Sequence, residues 1–397
     1  MEAIALEWLN LGARLFHVVA AIAWIGASFY FIWLDLSLET PPAEKRERGI
    51  AGDLWAIHGG GIYEISKYRL GPPRMPDHLH WFKWEAYATW ISGTILLVLL
   101  YYVQAQSYLV GMDTWVQSPG AAIAASIVFI AIGQLAYEGL LRTPLVRKGL
   151  VFAAAILIIT ATASWLAHQL FSPRAAYLHV GAMIATWMAG NVFWGIIPAQ
   201  KQFVAAASEN RSPDAELARF AKLRSSHNNY LTLPVIFAML SNHYPFLYGN
   251  DFGWVILVVV GSLLAWLRHF FNLKHQGIVR PALLVLPLSG LVLTAGITIY
   301  VEYSQSTAVA SESTGKPVST EMAAEIIQTH CAGCHAENPG VDAYSAPPAG
   351  LVLDSPDALL SRASQSLSAV RSGYMPLGNP TDMSQKERDA LVRWLRR

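Results

Sequence analysis

Eight apolar runs constrain this chain more than any other feature. They cover residues 11–34, 84–103, 121–141, 150–171, 177–197, 230–248, 254–271 and 282–303. Each is close to or above the roughly 20 residues that a membrane-spanning helix needs. Charged residues make up 14% of the 397, against 54% hydrophobic, where a soluble domain carries about 25% charged residues. The expected fold is all-α: an eight-span transmembrane helical bundle over residues 1–303, followed by a tether and a small domain. The sixth run is the least apolar, because it holds Pro234, Asn242, His243 and Pro245.

The net charge of +1 hides an alternation. Lys and Arg number seven in the first loop (35–83), three in the third (142–149), five in the fifth (198–229) and two in the seventh (272–281). The second and sixth loops have none, and the fourth has only Arg174. Lys and Arg mark the cytoplasmic side, so the odd loops are expected inside and both termini outside, in the periplasm of a bacterial inner membrane. The N-terminus lacks the positive start of a cleaved signal and reads as a retained helix. The lipid bilayer is the expected surrounding, and no nucleic-acid partner is expected.

Residues 304–319 are rich in Ser, Thr, Ala and Glu and read as a flexible tether. The domain after it, 320–397, is small enough to need a staple for its core. Cys331-Ala-Gly-Cys334-His335 is the C-x-x-C-H attachment pattern of haem c. Two thiols one helical turn apart add to the haem vinyl groups, and the next residue, His335, reaches the iron. A helical stretch precedes the motif, a methionine lies downstream, and an amphipathic helix ends the chain. That order resembles a small class I cytochrome c. Met375 is the expected second axial ligand, ahead of Met383, which sits just before the last helix; a thioether ligand raises the iron potential. With no other cysteine, a disulfide framework is excluded.

Histidines fall in two layers. Helix directions put His17, His168, His179 and His243 toward the outer face. Intramembrane polar groups are functional candidates, and paired imidazoles with Gly26, Gly181 and Gly190 nearby would suit a haem b. The alternative is that these histidines bond backbone carbonyls and tie helices together. His17 and His179 also open two similar stretches, which either a four-plus-four duplication or ordinary membrane-helix composition explains.

The inner layer holds His80, His227 and His269. His227-Asn228-Asn229-Tyr230 can read a planar polar heterocycle through paired hydrogen bonds. Trp81 and Trp84 can stack on it, Lys67, Arg69 and Lys83 supply positive charge, and Glu138 is a candidate base. A positive inner rim that only fixes topology is the competing reading. The first inner loop is long and aromatic, as functional loops tend to be.

Several stretches then bear on identity together: Leu15-Phe-His17-Val-Val-Ala-Ala-Ile-Ala-Trp24-Ile-Gly26, Tyr63-Glu-Ile-Ser-Lys67-Tyr68-Arg69, Leu79-His80-Trp81-Phe-Lys83-Trp84-Glu85, Ser226-His227-Asn228-Asn229-Tyr230 and the haem c motif. The chain resembles the integral-membrane urate oxidase (urate hydroxylase) family of the PuuD type. The resemblance implies an eight-span domain joined to a cytochrome c. It implies urate as substrate, oxidised with water to 5-hydroxyisourate. Electrons leave through the cytochrome to a periplasmic acceptor or terminal oxidase, without hydrogen peroxide. His227, Asn228, Glu138, Lys67 and Lys83 are the candidate catalytic residues. Two other functions fit the residues: a quinol-to-cytochrome conduit, and a transporter fused to a cytochrome.

Overall fold

The computed structural model describes every residue except Met1, Asp113, Asn210, Asp251, 313–317, 342–345 and Arg397. Helix α1 (Glu2–Ser37) runs through the first apolar stretch. A short α2 (Ala43–Glu47) and a hairpin of β1 (Ile50–His58) and β2 (Gly61–Tyr68) follow. Next come α3 (Trp84–Leu97), extended by a π-helical turn Val98–Tyr102, and α4 (Ala105–Tyr108). After α5 (Pro119–Leu141), α6 (Gly149–Leu170) and α7 (Pro173–Gly190), a π-helical stretch Asn191–Ile196 leads into α8 (Ile197–Ser208). The bundle closes with α9 (Ala215–Leu240), α10 (Pro245–Tyr248), α11 (Gly253–His275) and α12 (Ala282–Glu312). The C-terminal unit contains α13 (Thr320–His330), α14 (Ala332–His335), α15 (Pro356–Ser361), α16 (Ala363–Arg371) and α17 (Gln385–Leu395).

Two bundle helices begin with Ser-Pro. Ser118 and Ser172 accept the N–H groups of Ala121 and Ala175 at 3.4 Å. Pro119 and Pro173 occupy the first helical position, where the missing N–H would have had no helical partner. The core forms round α7, whose Tyr177, Val180, Met183 and Trp187 are buried with Phe129 and Tyr137 of α5 and Phe171. Helices α1 and α12 turn apolar faces outward: Ile22 is 64% exposed and Val292 74%. Extended apolar surface of this kind marks contact with lipid or a partner.

Six helices among the described residues are long and apolar enough to cross a membrane. The other two expected spans are helical but differ in kind. The second divides into α3 and the π-helical turn. The sixth starts in the second half of α9 and breaks after Leu240 into a 3-10 turn, Ser241–His243, and α10, while the part of α9 before it carries Arg219, Lys222, Arg224, His227, Asn228 and Asn229. Helix α9 packs against α1, α7, α8 and α11, which bury Arg224, Asn228 and Asn229 and leave Arg219 and Lys222 exposed.

The expectation of an all-α chain misses the hairpin. His58 pairs with Gly61 across a two-residue turn, where Gly59 and Gly60 have φ of 57° and 82°. Positive φ at both positions matches the twist of the flanking strands and favours glycine. The expected tether is helical as far as Glu312, consistent with its Ala and Glu content. Residues 313–317 lie outside the described residues.

In the C-terminal unit, Ile327, Leu359, Met383, Leu391 and Trp394 form a core. Helix α17 packs on α13 and α16. Ser384 and Glu387 start it with a capping box, which satisfies two otherwise orphaned N–H groups. The side-chain hydrogen bond from Ser384 holds the Glu387 carboxyl below its usual range.

Candidate functional site

Helix α9 carries Arg224, His227 and Asn228 at spacings that share one helical face. They meet Tyr137 and Glu138 of α5, and Asn191, which opens the π-helical stretch. Arg224 donates to both Glu138 oxygens at 2.7 Å. Tyr137 Oη lies 2.9 Å from His227 Nδ1 and accepts from Asn191 Nδ2 at 2.8 Å. Asn191 Nδ2 also donates to Asn228 Oδ1 at 2.8 Å, and Asn228 Nδ2 to the Met188 carbonyl at 3.0 Å. Flat neighbours fix the rings: Tyr137 stacks on Trp187 at 5.1 Å, and His227 on Phe152 at 4.7 Å. A side chain at Gly195 would collide with the Arg224 stem, so the glycine leaves the passage through which Arg224 reaches Glu138. Local π-helix is frequent at functional sites.

The next residue on α9 turns to a different neighbour. Asn229 Oδ1 accepts from Arg268 Nε at 3.0 Å and Asn272 Nδ2 at 2.9 Å, both on α11. Tyr230 Oη lies 2.7 Å from His269 Nδ1. Arg268 covers the Phe29 ring of α1 at 4.0 Å.

Of the expected catalytic set, His227, Asn228 and Glu138 come together. Glu138 is committed to Arg224, so it serves as a counter-ion and not as a free base. Lys67 is bonded instead to Asp35, which also pairs with Lys222 at 2.5 Å. Lys83 precedes α3, with its ammonium 5.9 Å over Trp84. Neither lysine has a contact with the His227 cluster, because both charges stay at the rim of the bundle. Tyr137, Asn191, Arg224 and Arg268 were not anticipated. Arg224, three residues before His227, was the readable signal.

The outer histidines each have their own surroundings. His17 Nδ1 lies 2.9 Å from Ser92 Oγ and 3.1 Å from the Thr89 carbonyl. His179 is filled: Nε2 lies 2.7 Å from Ser126 Oγ, Nδ1 lies 2.7 Å from the Ala175 carbonyl, and Phe171 stacks at 4.4 Å. His168 bonds the Ser164 carbonyl through Nδ1 at 2.8 Å and keeps a buried Nε2 without a partner. His243 is exposed. Gly181 admits Ala238 and Met239 of α9, and Gly190 admits Gln134 and Trp194, so these glycines serve side-chain packing. As arranged, His179 does not fit an axial role for a haem b.

Of the residues expected to hold a haem c, Cys331, His335 and Met375 share one cavity lining, and Cys334 is outside it. Cys331, His335, Met375 and Met383 line a cavity of about 440 Å³, mouth included. His335 Nδ1 lies 2.9 Å from the Leu351 carbonyl; donation there fixes the ring and leaves Nε2 for iron. Both thiols are free, and burial pushes Cys331 up to about 11. Met375 lies in the loop before α17, whereas Met383 is 2% exposed within the core.

The C-terminal unit contacts the end of the bundle where α7 begins. Arg174 donates to Tyr374 Oη at 2.7 Å and to Asn242 Oδ1 at 3.1 Å. Its guanidinium lies over the rings of Tyr108 and Tyr374 at 5.7 and 5.6 Å. A cavity of about 1410 Å³, mouth included, opens beside this contact and is bordered by His168, Gln117, Tyr374 and Asp382.

A family model described as urate oxidase N-terminal matches residues 3–300, which spans the bundle and stops before the C-terminal unit. No curated protein and no solved structure matches the chain.

Proposed function

The chain belongs to the urate oxidase N-terminal family, and from that premise we propose that it oxidises urate in the inner polar layer around α9 and sends the electrons outward through its C-terminal unit. The reaction is urate plus water to 5-hydroxyisourate, with release of two protons and two electrons. The observation that carries this reading is the His227–Tyr137–Asn191–Asn228 network. It sets a proton acceptor in a polar layer whose amides are held by their own hydrogen bonds, on the side of the bundle nearest the basic loops.

In the tautomer whose Nδ1–H donates to Tyr137, His227 offers Nε2 as a base. Phe152 holds the imidazole plane, and Asn191 fixes the Tyr137 hydroxyl. Arg224, neutralised by Glu138, keeps the polar layer assembled. Enclosure by α5, α7 and α9 limits bulk water, which strengthens every hydrogen bond to a bound anion.

Cys331 and Cys334 would hold a haem c, with His335 and Met375 toward its iron. Bound there, a haem c supplies a one-electron acceptor on the outer side, from which a periplasmic acceptor or terminal oxidase is served. In this reading α3 and α9 join the six apolar helices as spans, giving eight, with both termini periplasmic in a bacterial inner membrane. Replacing His227 by Ala is expected to abolish urate turnover and leave the haem c spectrum unchanged. Retained turnover refutes its role.

The outer cavity supports a second reading, in which urate binds outside, between Tyr374 and the bundle. Turnover by intact spheroplasts without urate uptake favours the outer site. Turnover that requires uptake favours the inner one.

A further inference from the structure

On the far side of α9 from His227, three buried polar atoms have no partner: Arg268 Nη2, Asn229 Nδ2 and Asn272 Oδ1. Their residues are 6%, 0% and 6% exposed. The amide orientations are dictated by the neighbours. Asn229 Oδ1 already accepts two N–H groups, from Arg268 and Asn272. Flipping Asn229 would oppose donor to donor, and flipping Asn272 would oppose acceptor to acceptor. The unfilled set is therefore two donors and one acceptor.

Arg268 forms no ion pair with a carboxylate among the described residues, whereas Arg224 has Glu138. A buried cation without a counter-charge is costly, and a bound anion would offset that cost. The lysines expected to bind an anion, Lys67 and Lys83, are engaged at the rim. The cluster also lies near the cytoplasmic end of α11: Asn272 is in the last turn, and Ser37 of α1 reaches the His275 carbonyl at 3.5 Å.

We infer that Arg268, Asn229 and Asn272 form the recognition subsite for the oxopurine anion, with the guanidinium and the Asn229 amide donating to its oxygens and Asn272 accepting a ring N–H. A urate monoanion carries both kinds of group on one flat edge. Half-buried Phe29 holds the guanidinium plane from α1. This subsite rests on the urate reading and names where that anion is held, on the face of α9 turned toward α11.

The test is equilibrium dialysis of radiolabelled urate against the full chain, with the haem reduced beforehand so that no urate is consumed. Asn229→Asp is the decisive variant. An aspartate keeps the acceptor for Arg268 and Asn272, neutralises the guanidinium, and turns an oxygen toward the ligand where an N–H stood. Its Kd for urate is expected to rise about tenfold or more, the size of one lost hydrogen bond to a charged group. Its thermal midpoint is expected to stay at or above wild type, and its haem spectrum unchanged. Arg268→Gln is expected to weaken urate binding similarly. If that variant fails to fold, Asn229→Asp still decides. Urate binding by Asn229→Asp within about twofold of wild type overturns the subsite. A wild-type chain that binds no urate overturns the urate reading beneath it.

Discussion

Arg224 grips Glu138 with both terminal guanidinium nitrogens, each at 2.7 Å. The residues are 6% and 14% exposed at their side chains. Breaking such a pair leaves an uncompensated charge, which costs about 3–5 kcal/mol. Glu138→Gln is expected to lower the thermal midpoint of the full chain in detergent. The double variant Glu138→Gln/Arg224→Gln is expected to be less destabilised than Glu138→Gln alone. Equal unfolding profiles for wild type and Glu138→Gln would refute the counter-ion role.

Tyr137 separates packing from chemistry. Tyr137→Phe keeps the ring stacked on Trp187 and removes only the hydroxyl that orients His227. Loss of the bond that orients a general base forfeits a share of the roughly 10²–10⁴ that such a base contributes, here about 10². The expected outcome is a fall in kcat of that order with the urate KM and the haem spectrum little changed. A kcat equal to wild type would mean that the His227–Tyr137 bond serves packing alone.

Met375 and Met383 both line the C-terminal cavity but differ in burial. Met383 is buried in the C-terminal core, so Met383→Ala is expected to destabilise that unit by about 2–5 kcal/mol. Met375→Ala is expected to leave the fold intact and lower the haem potential, because a thioether ligand favours ferrous iron. Redox titration and thermal melts of both variants check the division, and the reverse pattern would exchange the roles.

Arg174, at the start of α7, holds Tyr374, the neighbour of Met375. A hydrogen bond from a charged group is worth about 1.5–3 kcal/mol. Arg174→Gln is expected to raise amide exchange over residues 369–378 and to slow haem reduction by urate. Reduction by a small diffusible reductant should not change. Unaltered exchange would show that Arg174 does not seat the C-terminal unit.

The parts legible in the sequence are those with a local cause. Apolar length marked the helices, Ser-Pro pairs started two of them, and Cys331 and His335 of C-x-x-C-H line the C-terminal cavity with Met375. The Gly59-Gly60 pair was also a local signal, but aromatic content drew attention away from the hairpin turn it makes. The polar layer was legible only in part. His227 and Asn228 stood out as polar residues beside an apolar run. Their partners Tyr137 and Asn191 sit on two other stretches, and Arg224 and Arg268, which bond Glu138 and Asn229, lie in a basic segment that looked like rim and on α11. Which charge pairs with which is set by helix packing. That is why Lys67 looked available until Asp35 was placed beside it, and why Glu138 looked like a base until Arg224 reached it.

The most direct test of the account is anaerobic addition of urate to membranes holding the oxidised full-length chain, followed through the reduced haem c band. The account predicts reduction without oxygen, with two haems reduced for each urate consumed and 5-hydroxyisourate formed. A haem c that stays oxidised with urate, yet is reduced by a quinol, would contradict it and make the bundle an electron conduit.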